Sequence, residues 1–103
     1  MSHKGLSIII PVFNESAGIK SLLKSIVTTF LDESSEYEVI VVDDHSTDQT
    51  RRIVQACAKL YPVRYLLKKG RRGKGYSILE GYHEAVYEYI CVLDADMLAS
   101  AQI

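Results

Sequence analysis

Two kinds of apolar pattern alternate along this chain. One is the continuous, β-branched run; the other is the recurrence of apolar residues every three or four positions. A continuous run fits a strand covered on both faces, and a three-four spacing fits one face of a helix. Leu6-Ser7-Ile8-Ile9-Ile10 predicts a first strand, ended by Pro11, which has no N–H to give to a ladder. A loop follows, in which Asn14 or Ser16 is placed to cap the next helix. That helix carries Ile19, Leu22, Leu23, Ile26, Val27, Phe30 and Leu31 on one face and should end between Asp32 and Ser35.

Tyr37 to Val42 predicts a second strand that delivers Asp43 and Asp44 at its carboxyl end. Ser46-Thr47-Asp48-Gln49 has the form of a capping box before a second helix, with Ile53, Val54, Cys57, Leu60 and Tyr61 on its stripe. Pro62 cannot continue that helix. Val63 to Leu67 is a third, weaker strand. The glycine-rich, basic stretch from Lys68 to Gly75 is a loop, and a third helix is expected from Tyr76 to Tyr87 with Leu79, Tyr82, His83 and Val86 at helical spacing. Tyr89-Ile90-Cys91-Val92-Leu93 then predicts a last strand, buried on both faces and closed at or near Asp94 because aspartate is a poor strand residue.

The order is βαβαβαβ. Short connections in that order imply an α/β fold, a Rossmann-like parallel sheet of about four strands with three helices on its faces. Parallel strands place all their carboxyl ends on one edge, where open α/β sheets bind ligands. Asn14, Glu15, Asp43, Asp44, the basic loop, Asp94 and Asp96 are therefore expected on one rim.

Composition narrows this little. The 103 residues are enough for one domain, 1–103, and not for two. With 12 basic and 13 acidic residues the net charge is −1, so no global field points to nucleic acid as a partner. Cys57 and Cys91 fall in a predicted helix and strand, form no CxxC pair, and read as buried thiols in a reducing compartment. No leader is evident at the start and no apolar run approaches the ~20 residues of a spanning helix. A cytoplasmic location is the expectation.

The rim has a chemistry of its own. Clustered carboxylates repel unless a cation sits among them. Oxygen ligands without a His or Cys cluster suit Mg²⁺ or Mn²⁺. Lys68, Lys69, Arg71, Arg72 and Lys74 lie in the loop beside them, with Gly70, Gly73 and Gly75 letting backbone N–H groups approach an anion. A metal pocket beside a basic glycine loop suits a diphosphate, and so a nucleotide. The loop is not a Walker A motif, since its spacing is short and no Ser or Thr follows Lys74, and no GxGxxG follows the first strand. Ser16, Ser46, His45 and His83 form no legible triad.

Four segments together resemble family 2 glycosyltransferases of the GT-A fold. Ile9-Ile10-Pro11-Val12-Phe13-Asn14-Glu15 resembles the family's IIPxxNE, and Val41 to Asp48 its VVDDxSxD. Gly73-Lys74-Gly75 with Gly81 and Ala85 resembles GKGxAxxxGxxxA, and Leu93-Asp94-Ala95-Asp96 the DAD form of DxD. The resemblance implies the donor half of a glycosyltransferase, a partial GT-A fold. It would bind a UDP- or GDP-linked sugar and transfer the sugar to an acceptor such as a membrane-associated polyprenyl phosphate, at the cytoplasmic face. By position it implies that Pro11, Phe13, Asn14 and Glu15 contact the donor, that Asp43 or Asp44 hydrogen-bonds the base or ribose, and that Lys74 sits near the phosphates or sugar. It further implies that Asp94 would contact donor and metal, and that Asp96 would hold the metal more directly.

Departures from the pattern are His45 and Glu88 where the family has Gly, and Leu98 where the dolichyl-phosphate group has Gln. No catalytic base is identifiable, and the resemblance places it beyond Ile103, so the chain reads as an excised piece or natural fragment, inactive alone. The last strand's open edge would be covered by a homodimer or a further segment. Three other readings compete. A non-catalytic nucleotide-binding or assembly module keeps the fold. A DxD phosphatase would carry its motif on the first strand, and a receiver-like domain its acidic pair there.

Overall fold

The computed structural model describes residues 4–30 and 36–95. Along them run β1 (Leu6–Val12), α1 (Ile19–Phe30), β2 (Tyr37–Asp43), α2 (Thr50–Ala58), β3 (Val63–Leu67), α3 (Lys74–Glu84) and β4 (Tyr89–Val92). The four strands form one parallel sheet in the order β3-β2-β1-β4. The expected α/β, Rossmann-like βαβαβαβ arrangement is thus the observed one.

Strand alternation divides the core into two layers. Ile8, Ile10, Val12, Val39 and Val41 pack with Ile19, Leu22, Leu23, Ile26, Val54 and Cys57, on the face covered by α1 and α2. Ile9, Ile40 and Val42 point the other way, with Leu66 and Ala85 against them. Helix α3 lies on this second face, and its Gly81 meets the sheet so closely that a Cβ there would stand 2.7 Å from Ile9 Cγ2 and 3.1 Å from Val42 Cγ2.

Pro11 lies inside β1 and does not end it. In a parallel ladder a residue's N–H and C=O point to the same neighbour, and Ile9, of the same parity, bonds toward the β4 side through its carbonyl and Leu93 N–H (3.0 Å). β4 pairs only with Leu6 to Ile9. The missing donor of Pro11 therefore falls where the ladder has already ended.

Three further expectations are corrected. First, the outer residues of α3 are the apolar ones: Leu79 and Tyr82 are exposed, as is Val86 beyond the helix end, while Ser77 and Gly81 are buried. The helix needs small residues where its backbone rests on the sheet, so its large residues turn outward. Second, β4 is mostly exposed and is not buried on both faces. It pairs with β1 alone, and α3 packs over β1 and β2. Third, Ser46 and Gln49 form no capping box: α2 begins at Thr50 and Gln49 makes no side-chain cap. Leu60, placed on the α2 stripe, lies beyond the helix and is exposed.

A buried polar network sets the entry into β4. Glu38 Oε2 accepts from Ser7 Oγ (2.7 Å) and Val86 N–H (2.8 Å), and Tyr87 N–H donates to Ser7 Oγ (3.2 Å). These bonds fix the turn after α3 beside β1 and so aim β4 at the rim.

Candidate functional site

The carboxyl ends of β1, β2 and β4 and the first turn of α3 enclose a cleft of roughly 330 Å³. Pro11 lines it from β1 and Phe13 and Glu15 from the loop after it, Asp44 from just past β2, Arg72, Lys74 and Ser77 from the loop and α3, and Asp94 from just past β4. Six of the residues expected at the site are thus brought together. Asn14 and Asp43 stand outside the cleft lining, and Asp96 lies outside the described residues.

The two that stand apart build the walls. Asn14 takes a left-handed backbone (φ 53°). Its Oδ1 accepts from Thr47 N–H (2.7 Å) and Asp48 N–H (3.3 Å), and its own N–H donates to Ser46 Oγ (2.9 Å). It ties the loop after β1 to the loop after β2, and neither it nor Ser16 caps α1. Ser16 N–H instead donates to Asp48 Oδ2 (3.2 Å) and Glu15 N–H to Thr50 Oγ1 (2.9 Å). Asp43 is buried and fully engaged: Oδ1 accepts from Ser46 N–H (2.9 Å) and Oγ (2.6 Å), and Oδ2 from Tyr65 O–H (2.6 Å). Burial, and then this bond to a carboxylate, hold the Tyr65 phenol well above the usual tyrosine range.

Asp44 faces the cleft. Its Oδ2 accepts from Gly73 N–H (3.0 Å) and lies 3.5 Å from Lys68 Nζ. Its Oδ1 is buried, accepts no hydrogen bond among the described residues, and has Arg72 Nε 3.7 Å away. Burial alone would raise this carboxyl; the Gly73 N–H and the Lys68 and Arg72 cations outweigh it and hold it below the usual aspartate value.

Lys68, read from sequence as part of a flexible basic loop, is wholly buried. Its ammonium donates to Gly73 O (2.6 Å) and pairs with Asp44, so it fastens the loop to β2 from inside. His45 takes the left-handed conformation (φ 62°) for which the family pattern has Gly, and its Nε2–H donates to Lys68 O (2.9 Å). Arg72 lies over the exposed Phe13 ring, 5.3 Å from its centroid, and donates to Asp44 O (3.3 Å). Lys74 Nζ donates to Asp94 Oδ2 at 2.5 Å. Among five loop cations, nothing in the sequence singles out Lys68 or Arg72; only packing does.

The carboxylates in the cleft are hard oxygen donors without imidazole or thiol neighbours, which fits Mg²⁺ or Mn²⁺ in kind. Among the described residues no three acidic, His or Cys side chains are close enough to hold a metal. Asp94 is the described carboxylate that fits: it stands at the β4 end of the cleft with a cation already against it.

The cleft of carboxylates and cations thus lies at the switch of strand order of a parallel sheet, where open α/β sheets bind ligands. Residues 7–102 match the profile of glycosyl transferase family 2, and the chain belongs to that family. It is 32% identical over 92 residues, 89% of the chain, to the dolichol-phosphate mannosyltransferase of Pyrococcus furiosus, 26% of which is covered. The crystal structure of S. aureus TarS 1-349 in complex with UDP superposes with a TM-score of 0.78 at 30% identity, over 95% of this chain and 31% of that one. Glucosyl-3-phosphoglycerate synthase of Mycobacterium tuberculosis, solved with Mn²⁺, UDP and glucosyl-3-phosphoglycerate, shares the fold: TM-score 0.74, 24% identity, 89% of this chain and 33% of that one. The chain spans between 22% and 35% of the length of the curated relatives it matches.

Proposed function

We propose that this chain binds the donor of a glycosyl transfer, a nucleoside-diphosphate sugar, together with Mg²⁺ or Mn²⁺. The observation that carries the reading is Asp44 Oδ1, a buried carboxylate oxygen that accepts no hydrogen bond among the described residues, in the cleft that the exposed Phe13 also lines. A flat base with a ring N–H satisfies both: its face stacks on Phe13 and its N–H bonds Asp44. Arg72 and Lys74 then lie on the side where a diphosphate would emerge, with the amino end of α3 adding positive potential. Asp94 and Asp96 would hold the metal, which when bound stabilises the leaving diphosphate as a Lewis acid.

UDP is the favoured nucleotide, because the TarS structure similar to this chain holds UDP. The acceptor is proposed as a polyprenyl phosphate, as the name of the Pyrococcus relative supports. The base that activates the acceptor is assigned to no residue of this chain.

The test is thermal melting with a panel of nucleotides. UDP or UDP-sugar with Mn²⁺ is expected to raise Tm, by mass action on the folded state. Asp96→Ala should abolish the metal-dependent part and Asp44→Ala most of the whole shift. No shift with any nucleotide at millimolar concentration would overturn donor binding and favour a non-catalytic assembly module.

A further inference from the structure

Helices α1 and α2 cover the same face of the sheet and pack against each other. Between their outer surfaces runs a groove of about 360 Å³ that shares no residue with the cleft at the rim. Its apolar lining comes from α2 and the turn after it: Cys57 is buried, Ile53 and Tyr61 are half-buried, and Leu60 is 76% exposed. Exposed cations stand on both walls, Lys20 and Lys24 from α1 and Arg52 from α2.

The charge of this face is one-sided. The chain has 13 acidic residues against 12 basic, yet Ile19–Phe30 and Thr50–Ala58 hold two lysines, two arginines and no aspartate or glutamate. Arg64, Lys68 and Arg72 each have a carboxylate partner. Lys20, Lys24 and Arg52 pair with no carboxylate among the described residues, and Arg52 donates to the uncharged side-chain oxygen of Gln49. A face left to water gains by mixing both signs, whereas Lys20 and Lys24, four apart on one helix, repel each other.

We propose that the α1–α2 groove docks an acidic amphipathic helix of a partner protein. Its apolar side chains sit against Ile53, Leu60 and Tyr61, and carboxylates flanking them pair with Lys20 and Lys24 on one wall and Arg52 on the other. The shape chooses this occupant, since a hollow between two helices takes the ridge of a third. The charge chooses it as well: cations on both walls match carboxylates on both sides of an apolar stripe. A flat bilayer would touch the rim cations and Leu60 and leave the hollow unfilled, and a free phosphate would gain nothing from the apolar lining. Apolar burial supplies the affinity here, and the flanking charges select the partner.

The experiment is fluorescence anisotropy with a labelled helical peptide that carries leucine at every third or fourth position and glutamate on both sides of that stripe. The chain is titrated into it at low salt, and into the same peptide with Gln for Glu or Ser for Leu. The Glu-Leu peptide should bind, the two analogues should not, and added salt should weaken the complex. Lys20→Gln with Lys24→Gln and Arg52→Gln should weaken binding about tenfold, roughly twofold for each exposed pair lost. It should not lower Tm, because it also removes a like-charged pair. Leu60→Ser, at an exposed position, should weaken binding without touching the charges. Lys69→Gln with Arg71→Gln, which removes two cations of the rim loop, should leave the affinity unchanged. No binding of the Glu-Leu peptide, equal binding of its Gln analogue, undiminished affinity in the triple variant, or an equal loss in the rim-loop variant overturns the proposal. Flotation of the chain with phosphatidylserine–phosphatidylcholine vesicles, lost in the triple variant while the peptide fails to bind, would overturn it in favour of an anionic bilayer.

Discussion

Asp43 and Asp44 are neighbours with the same side chain, and the pleat gives them different work. Side chains alternate across a strand, so Asp43 turns to Tyr65 and Ser46 and closes the loop, while Asp44 turns to the cleft. The motif fixes two acids at a strand end but not which of them faces the ligand; that depends on where β2 stops. Asp48 belongs with Asp43 as a builder. Its Oδ1 accepts from Thr50 N–H (2.9 Å) and Oγ1 (2.6 Å), and its Oδ2 from Ser16 N–H. The Thr50 hydroxyl bond first, and then the other bonds against a smaller burial effect, hold its carboxyl well below the usual range. A carboxyl lowered on folding stabilises above its unfolded value and loses that contribution as pH falls through the folded one. Tm of the wild type should therefore drop as the pH is taken from 7 below about 4, the unfolded aspartate value. Asp48→Asn should melt lower at pH 7, and the gap to wild type should narrow toward pH 3. A gap that stays constant over that range would assign Asp48 no electrostatic part.

Helix α3 shows what a period can and cannot say. Its existence follows from the spacing of Leu79, Tyr82, His83 and Val86, and the helix is there. Its buried face does not follow, because the contact with the sheet is made by Ser77 and Gly81, residues that carry no apolar signal. Close backbone approach, not side-chain burial, decided the orientation. Gly81→Ala tests this. In an open helix that change stabilises by up to about 1 kcal/mol. Here the added methyl would meet Ile9 at 2.7 Å. Overpacking of that kind costs about 1–3 kcal/mol, so the clash should win and Tm should fall. A rise in Tm would show that α3 can lift off the sheet freely. Strands were more legible, since β3 runs from Val63 to Leu67 as its apolar run indicated. The rim cluster was legible too, because parallel order alone gathers it. The cap of α2 was not: Ser46 is bonded back to Asp43, three residues before it, and to the distant Asn14, and not forward into α2.

At the scale of the molecule, the sheet ends in two edge strands, β3 and β4. β4 presents an edge, and Ile90 and Val92 are 37% and 43% exposed beside it. Exposed edges of this kind pair with other chains unless they are covered or charged. Cover by a second copy is our proposal for the chain on its own, and it is testable. Ile90→Lys with Val92→Lys should lower the sedimentation coefficient toward that of a monomer while leaving Tm nearly unchanged. An unchanged monomer in both proteins would remove the homodimer from the account.

The register of β1 has a consequence in time. Leu6 pairs with Tyr37 on one side and with Tyr89 on the other. The most apolar strand of the chain is thus made first and flanked last. While the polypeptide is being synthesised, the border from Leu6 to Ile9 stays unpaired until β4 has cleared the ribosome. The central position that shields β1 in the finished sheet makes its second edge wait for the last strand of the four.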